Sequence, residues 1–468
     1  MGLSILVHAT LVAATSHQMG MRKLAESLAN AGHQVTLVEP EAADGRMGPV
    51  RNISGLTVQR AQVMDDQIYT ERSAKGETFQ RLSQEINEQL LPQMLPRLQA
   101  QHFDLAVVDA LCPTLARALR LPSVHVQLAS DVDAATAMWF FYGFASQRNV
   151  AALLQRLQFA YLWLATWLAI GSHQDGGETS IQGDILPWKT YFQDYILKVL
   201  VQGTDSFALP QGMIPLVEAH GPQLSFIGSL MQKSSVNPPP EAKQIVADSL
   251  ALVAFGTKST NFPCPLGILR GLQDAGLVAV VLVESCRTVD ELPKQHVLPS
   301  SRDQAAWLRE PRMRLAVVHG GINSLYEAVA AGLPIACVPH ENDQFPNCRE
   351  VQVQRLGWAV DRRAPAMEAE AAFQMLLRGG FTNARAAASF QAATGAESAV
   401  RHIEALVPKL AAETGAKCGE DNHCLSPFFA VPFQWLEGTA ALVCPVPVIF
   451  TAVWLMQHIF APTKDKHE

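Results

Sequence analysis

The chain has 468 residues, more than one ordinary core accommodates, so two large domains with an extension are expected. Apolar residues make up 49% and charged residues 17%, a shortage of charge that points to a membrane-contacting portion. The formal charge of -7 and the scatter of the cations argue against a nucleic-acid partner.

The opening run LSILVHATLVAATSH is apolar but lacks the basic n-region of a signal peptide. Leu3 to Val12 is therefore read mainly as a buried strand. A helical pattern follows, ending near Gly32, and then a strand, VTLVEP. Strand, helix and strand in close succession form a βαβ unit, the start of a parallel sheet. FDLAVVDALCPTLARALRLPSVHVQL repeats the alternation and leaves Asp109 at the carboxyl end of its first strand. Asn149 to Gly171 is a helical pattern apolar on nearly every side, expected as a buried or interfacial helix.

Three successive prolines, Pro238 to Pro240, lie in polar text that reads as an interdomain linker. A second parallel-sheet pattern begins at Leu250 to Thr257 and continues through VAVVLVE, LAVVHGG and PIACVPH. Residues 438–463 pass without a formal charge, enough for one tilted transmembrane helix. Pro445 and Pro447 would kink it, and Trp435 and Trp454 suit the interfaces. The expected organisation is a first α/β domain at 1–228, a linker at 229–248 and a second α/β domain at 249–405. A helical extension at 406–437, an anchor at 438–461 and a tail at 462–468 complete it.

The 8 cysteines are dispersed, with no CxxC pair. Cys418, His423 and Cys424 make half a zinc set without its second half, so no metal is expected. A Cys418–Cys424 disulfide is the better reading if that segment faces an oxidising lumen.

The densest chemical signal is LAVVHGGINSLYEAVAAGLPIACVPHENDQFPN. Its strand turns sharply at Gly320 and Gly321 into a helix, and such a turn offers backbone N–H groups at a positive helix end, which suits a diphosphate. His319, Asn323 and Ser324 add side-chain donors. Glu327, one turn deeper, can accept from ribose hydroxyls. Asp343 and Gln344 follow the next strand, at the sheet edge where ligands of open α/β folds bind.

The ordered set HGGxNSxxE, GLP and DQxxN resembles the donor-binding signature of the UDP-glycosyltransferases, the family that includes the UDP-glucuronosyltransferases. The resemblance implies a GT-B type fold: two Rossmann-like α/β domains facing a cleft, plus a C-terminal transmembrane helix. It implies a UDP-sugar as donor co-substrate, with no further cofactor. His319 would contact the diphosphate, Asn323 and Ser324 cap it, Glu327 hold the ribose, and Asp343 and Gln344 read the sugar hydroxyls. FGT at Phe255 to Thr257 resembles the second phosphate loop, with Thr257 as donor. One departure stands out. Where the family signature begins with W-x-P-Q, this chain has Ser301, Arg302, Asp303 and Gln304. The glutamine survives and the uracil-stacking tryptophan does not, although a guanidinium at Arg302 could offer a flat face instead.

In the first domain, ATSHQMG and FDLAVVDALCP resemble the segments that carry the family's catalytic base and its partner, giving His17 and Asp109. An alcohol is a poor nucleophile near neutrality. A neutral imidazole takes its proton as attack proceeds, and a buried carboxylate stabilises the imidazolium. The expected reaction is inverting, metal-independent sugar transfer to a hydroxyl of a small lipophilic acceptor. KDKHE at the end is similar to a lysine-based endoplasmic-reticulum retrieval signal, consistent with a single-pass protein of that membrane. A catalytically silent nucleotide-sugar-binding scaffold is the alternative, motivated by the lost tryptophan. A dinucleotide-dependent oxidoreductase is rejected: Glu39 is suitably placed, but ATSHQMGMRK lacks GxGxxG.

Overall fold

The structure is a computed structural model that describes residues 2–407, except 10–14, 42–48, short stretches within 65–78, 110–113, 128–195, 209–223, 232–236, 257–262, 290–294, 298–302, 341–343 and 383. The helix expected at Asn149 to Gly171, the Cys418–Cys424 pair and the anchor at 438–461 lie outside the described residues. Among the described residues, no helix is long and apolar enough to cross a membrane.

Short, almost unbroken apolar runs form the strands, as parallel strands covered on both faces require. The first sheet contains β1 (Ser4–His8), β2 (Gln34–Pro40), β3 (Leu56–Ala61), β4 (Leu105–Asp109), β5 (Ser123–Gln127), β6 (Ile196–Gln202) and β7 (Leu224–Gly228). Their order is β3-β2-β1-β4-β5-β6-β7, and the ladders are parallel throughout. The winding reverses between β1 and β4, whose register pairs His8 with Val108. That reversal opens a crevice at the strands' carboxyl ends.

Helix α1 (Thr15–Asn30) connects β1 to β2. Met21, Leu24, Ala25 and Leu28 recur at helical spacing and are buried against the sheet. The helix stops because Gly32 adopts φ 92, a conformation that costs glycine least. On the opposite face lie α2 (Phe79–Gln99), through Leu82, Ile86, Leu90 and Met94, and α3 (Thr114–Ala118).

The second sheet contains β8 (Leu250–Ala254), β9 (Val278–Val281), β10 (Gln295–Val297), β11 (Met313–Val318), β12 (Ile335–Cys337) and β13 (Gly357–Ala359). Its order is β10-β9-β8-β11-β12-β13, again parallel, and the reversal falls between β8 and β11. Helices α4 (Leu266–Asp274) and α8 (Ala366–Leu377) cover one face. The other is covered by α5 (Gln304–Leu308), α6 (Ile322–Ala330), α7 (Gln344–Val353) and α9 (Ala384–Ala392).

Two boundaries differ from the sequence reading. Helix α10 (Ala396–Glu404), expected within 249–405, packs its Ala399, Val400 and Ile403 into the core of the first sheet, beside α1 and β7. Its apolar stripe faces the first domain because Gly395, at φ 49, turns the chain back beside Ser229. The second half of the expected linker is likewise docked: Ala242 and Ile245 join the second core. Arg312 fixes them there, donating to the carbonyls of Ala242 at 2.7 Å and Ile245 at 2.8 Å while paired with Glu310 at 2.7 Å.

Two disulfides tie the second domain, Cys264–Cys286 and Cys337–Cys348. No spacing pattern among the cysteines marks either pair.

Candidate active site

At the first reversal, His17 stands in the opening turn of α1 and Asp109 is the last residue of β4. Their side chains meet: Nδ1 of His17 donates to Oδ2 of Asp109 over 2.7 Å. Asp109 is fully buried and His17 nearly so. A buried carboxylate persists only with a partner. This bond holds the proton on Nδ1 and leaves Nε2 as the basic nitrogen of the ring. The two residues are 92 apart in sequence, and the β1–β4 pairing joins them.

Glu39, at the carboxyl end of β2, is committed elsewhere. Arg22 grips it with Nε at 3.1 Å and Nη2 at 2.8 Å, and Arg60 adds a contact at 3.3 Å. Such a bidentate, buried pair takes up the carboxylate that a dinucleotide ribose would need. Sequence reasoning had noted Glu39 but not Arg22.

At the second reversal, β11 ends at Val318, and His319, Gly320 and Gly321 make the turn into α6. The His319 ring occupies a slot between two glycines. A Cβ on Gly256 would lie 2.8 Å from its Cε1, and a Cβ on Gly321 would collide with its Nε2. Gly320, at φ 92, has no room for a side chain either: Sγ of Cys348 would be 2.8 Å away and the Gln344 carbonyl 2.9 Å away. These glycines do more than make a turn. They let His319 and α7 close on the backbone.

The start of α6 has no side-chain cap at Gly321, so its first-turn N–H groups remain available to an anion. Two side-chain atoms at the same place are buried without a hydrogen bond, Nδ1 of His319 and Oδ1 of Asn323. Burial lowers the His319 pKa to about 4; nearby His340 acts in the same direction, and the Ala254 backbone partly opposes them. His319 is therefore a neutral imidazole at pH 7.

Gln304 links two further members of the site. Its Nε2 donates to Glu327 Oε2 at 2.8 Å, and Ser324 Oγ donates to its Oε1 at 3.4 Å. Asp303 caps α5 by accepting from the Ala306 N–H at 3.3 Å, which holds Gln304 in place. Gln344, at the start of α7, accepts from the His340 N–H at 2.8 Å. Asn347, three residues on, donates its amide to the Gly320 carbonyl at 2.9 Å. Thus His319, Gly320, Gly321, Asn323, Ser324, Glu327 and Gln304 converge on the start of α6, with Gln344 beneath the turn. Thr257, Asp343, Ser301 and Arg302 lie outside the described residues.

The comparisons with known proteins agree with this layout. Residues 288–382, which include the His319 turn and the α6 start, match the family model described as UDP-glucoronosyl and UDP-glucosyl transferase. The chain is 25% identical over 151 residues to UDP-glucuronosyltransferase 3A1 of Xenopus laevis, covering 30% of this chain and 29% of that protein. It is 27% identical over 158 residues to the Homo sapiens protein of the same name, covering 30% of this chain and 28% of that one. The matched stretch is thus less than a third of either relative's length. Among solved structures, the calicheamicin glycosyltransferase CalG4 superposes with a TM-score of 0.60 at 19% identity, covering 88% of this chain and 100% of that one. Os79 from O. sativa, solved in complex with UDP, superposes with a TM-score of 0.60 at 16% identity, covering 87% of this chain and 99% of that one. The architecture is that of the GT-B glycosyltransferases. Over residues 288–382 the chain is thus similar to the UDP-glycosyltransferase family.

Proposed function

We propose that this protein is an inverting, metal-independent transferase that moves a sugar from a UDP-sugar to a hydroxyl of a small lipophilic acceptor. The observation that carries this reading is the buried His17–Asp109 pair at 2.7 Å. It supplies a base at one reversal point, while a set of anion-seeking groups stands at the other.

In this reading, Nε2 of His17 accepts the acceptor's hydroxyl proton as the oxygen attacks the anomeric carbon. The bond from that carbon to the diphosphate breaks, and UDP leaves with the electron pair. Asp109 balances the imidazolium. The α6 N–H groups, with Asn323, Ser324 and Thr257, stabilise the charge that develops on the diphosphate. His319, neutral before the donor arrives, is placed to hydrogen-bond the diphosphate and to take up a proton against its charge. Glu327, positioned by Gln304, accepts from the ribose, and Asp343 and Gln344 read the sugar. The apolar stretch at 149–171 favours a lipophilic acceptor. The charge-free run at 438–461 favours a single-pass anchor, and the final lysines favour the endoplasmic reticulum. Two disulfides suit placement of the sugar-binding domain on the oxidising, lumenal side.

UDP release measured across a panel of UDP-sugars, with a pool of phenols and sterols, tests the reading. Release should require both an acceptor and His17, so that His17→Ala abolishes turnover and leaves UDP binding nearly intact. Silence across the panel despite measurable UDP binding would favour the second reading, a nucleotide-sugar-binding scaffold. That alternative is motivated by the serine at position 301 where the family carries its stacking tryptophan.

A further inference from the structure

The last residue of the DQxxN motif, Asn347, has no part in the chemistry above. Its side chain nevertheless reaches the turn on which that chemistry depends. Asn347 is 2% exposed, on the inner face of α7, and its Nδ2 donates to the Gly320 carbonyl at 2.9 Å. A peptide unit is planar and trans, so its C=O and the following N–H point in opposite directions. Holding the Gly320 oxygen into α7 therefore aims the Gly321 N–H away from α7. That N–H opens the row leading into the uncapped start of α6.

Gly320, at φ 92, lies where glycine is least restrained, and an unanchored glycine–glycine turn samples many orientations. The adjoining Cys348, bonded to Cys337 at the end of β12, holds the Asn347 segment of α7 against the same turn.

We propose that Asn347 is the positioning residue of the diphosphate turn: by holding the Gly320 carbonyl it orients the N–H groups that meet the β-phosphate of the donor. The proposal rests on the donor reading above. It predicts a loss specific to phosphate recognition, whereas a merely structural residue would weaken every ligand together.

The test compares UDP with uridine on the full chain, by calorimetry or displacement, for the wild type, Asn347→Ala and Asn347→Leu. Leucine fills the asparagine volume without a donor, and thermal unfolding identifies which variants are folded. UDP dissociation constants should rise about tenfold in both variants, with uridine constants within about twofold of wild type. Equal weakening of both ligands, or no weakening of UDP in a folded variant, overturns the proposal. A wild-type protein that binds neither UDP nor uridine overturns the donor reading itself, and a positioning role falls with it.

Discussion

The phenol of Tyr326 donates to the backbone carbonyl of Gln202 at 3.2 Å, joining α6 to the end of β6 in the first domain. Tyr326 is fully buried, and its ring packs on Phe390 at 4.8 Å and edge-on to Phe207 at 5.8 Å. The Gln202 side chain also accepts from the Leu230 N–H at 3.0 Å, at the start of the linker. One face of α6 thus carries the proposed donor groups while another binds the first domain. Tyr326→Phe keeps the ring and deletes the hydroxyl. It should cost about 1 kcal/mol of stability, read from denaturant unfolding, and leave UDP affinity within about twofold. A large loss of UDP affinity would show that this contact also sets the donor site.

The dyad makes a second, chemical prediction. Asp109→Asn preserves shape but removes the charge that stabilises imidazolium, and it allows the wrong His17 tautomer. Turnover should fall by about 10²- to 10⁴-fold, with UDP affinity unchanged, in single-turnover and binding assays. A variant as active as wild type would remove Asp109 from the mechanism.

Much of this arrangement can be read from local sequence. Parallel strands covered on both faces must be apolar, so LAVVD and LAVV declare β4 and β11 without any partner in view. Met21, Leu24 and Leu28 declare α1 by their period. His319, Asn323 and Glu327 could be recognised together because strand, turn and helix place near neighbours around one helix start. What stayed hidden depends on pairings chosen by topology. Tyr326 and Gln202 are 124 residues apart, and Arg312 reaches the Ala242 carbonyl across 70. No period marks such contacts. The return of α10 was hidden for the same reason, since an amphipathic helix does not specify which core it will cover. Asn347 was visible as a motif letter, but its task appears only with the Gly320 carbonyl beside it.

The disulfides carry a prediction about both redox state and stability. Cys264 and Cys286 close a loop of sequence separation 22, and Cys337 and Cys348 one of 11. Loops of this size restrain the unfolded chain by about 3 kcal/mol each. Protein isolated without reductant and unfolded should leave all four thiols unreactive to alkylation. A dithiol reductant should then expose them and lower the unfolding midpoint. Free thiols at Cys264, Cys286, Cys337 or Cys348, located by mass spectrometry among the 8 cysteines of the chain, would count against an oxidising compartment.

The buried imidazole of His319 sets the pH response. Burial, reinforced by His340, lowers its pKa from 6.5 to about 4 in the folded protein, while the unfolded chain keeps the ordinary value. Between those values the unfolded state binds more protons. Stability from this group is therefore complete above about pH 6.5 and is lost progressively as pH falls toward 4, by about 3 kcal/mol in all. His319→Gln should flatten that part of the stability profile. A diphosphate placed against the ring favours the charged form and raises its pKa, so UDP binding should take up protons. UDP affinity should accordingly strengthen as pH is lowered from about 7.5 to 5.5, and His319→Gln should remove that component of the slope. Calorimetry in buffers of different ionisation enthalpy measures the uptake directly. Binding without proton uptake, or a slope unchanged in His319→Gln, would show that the diphosphate does not contact this ring.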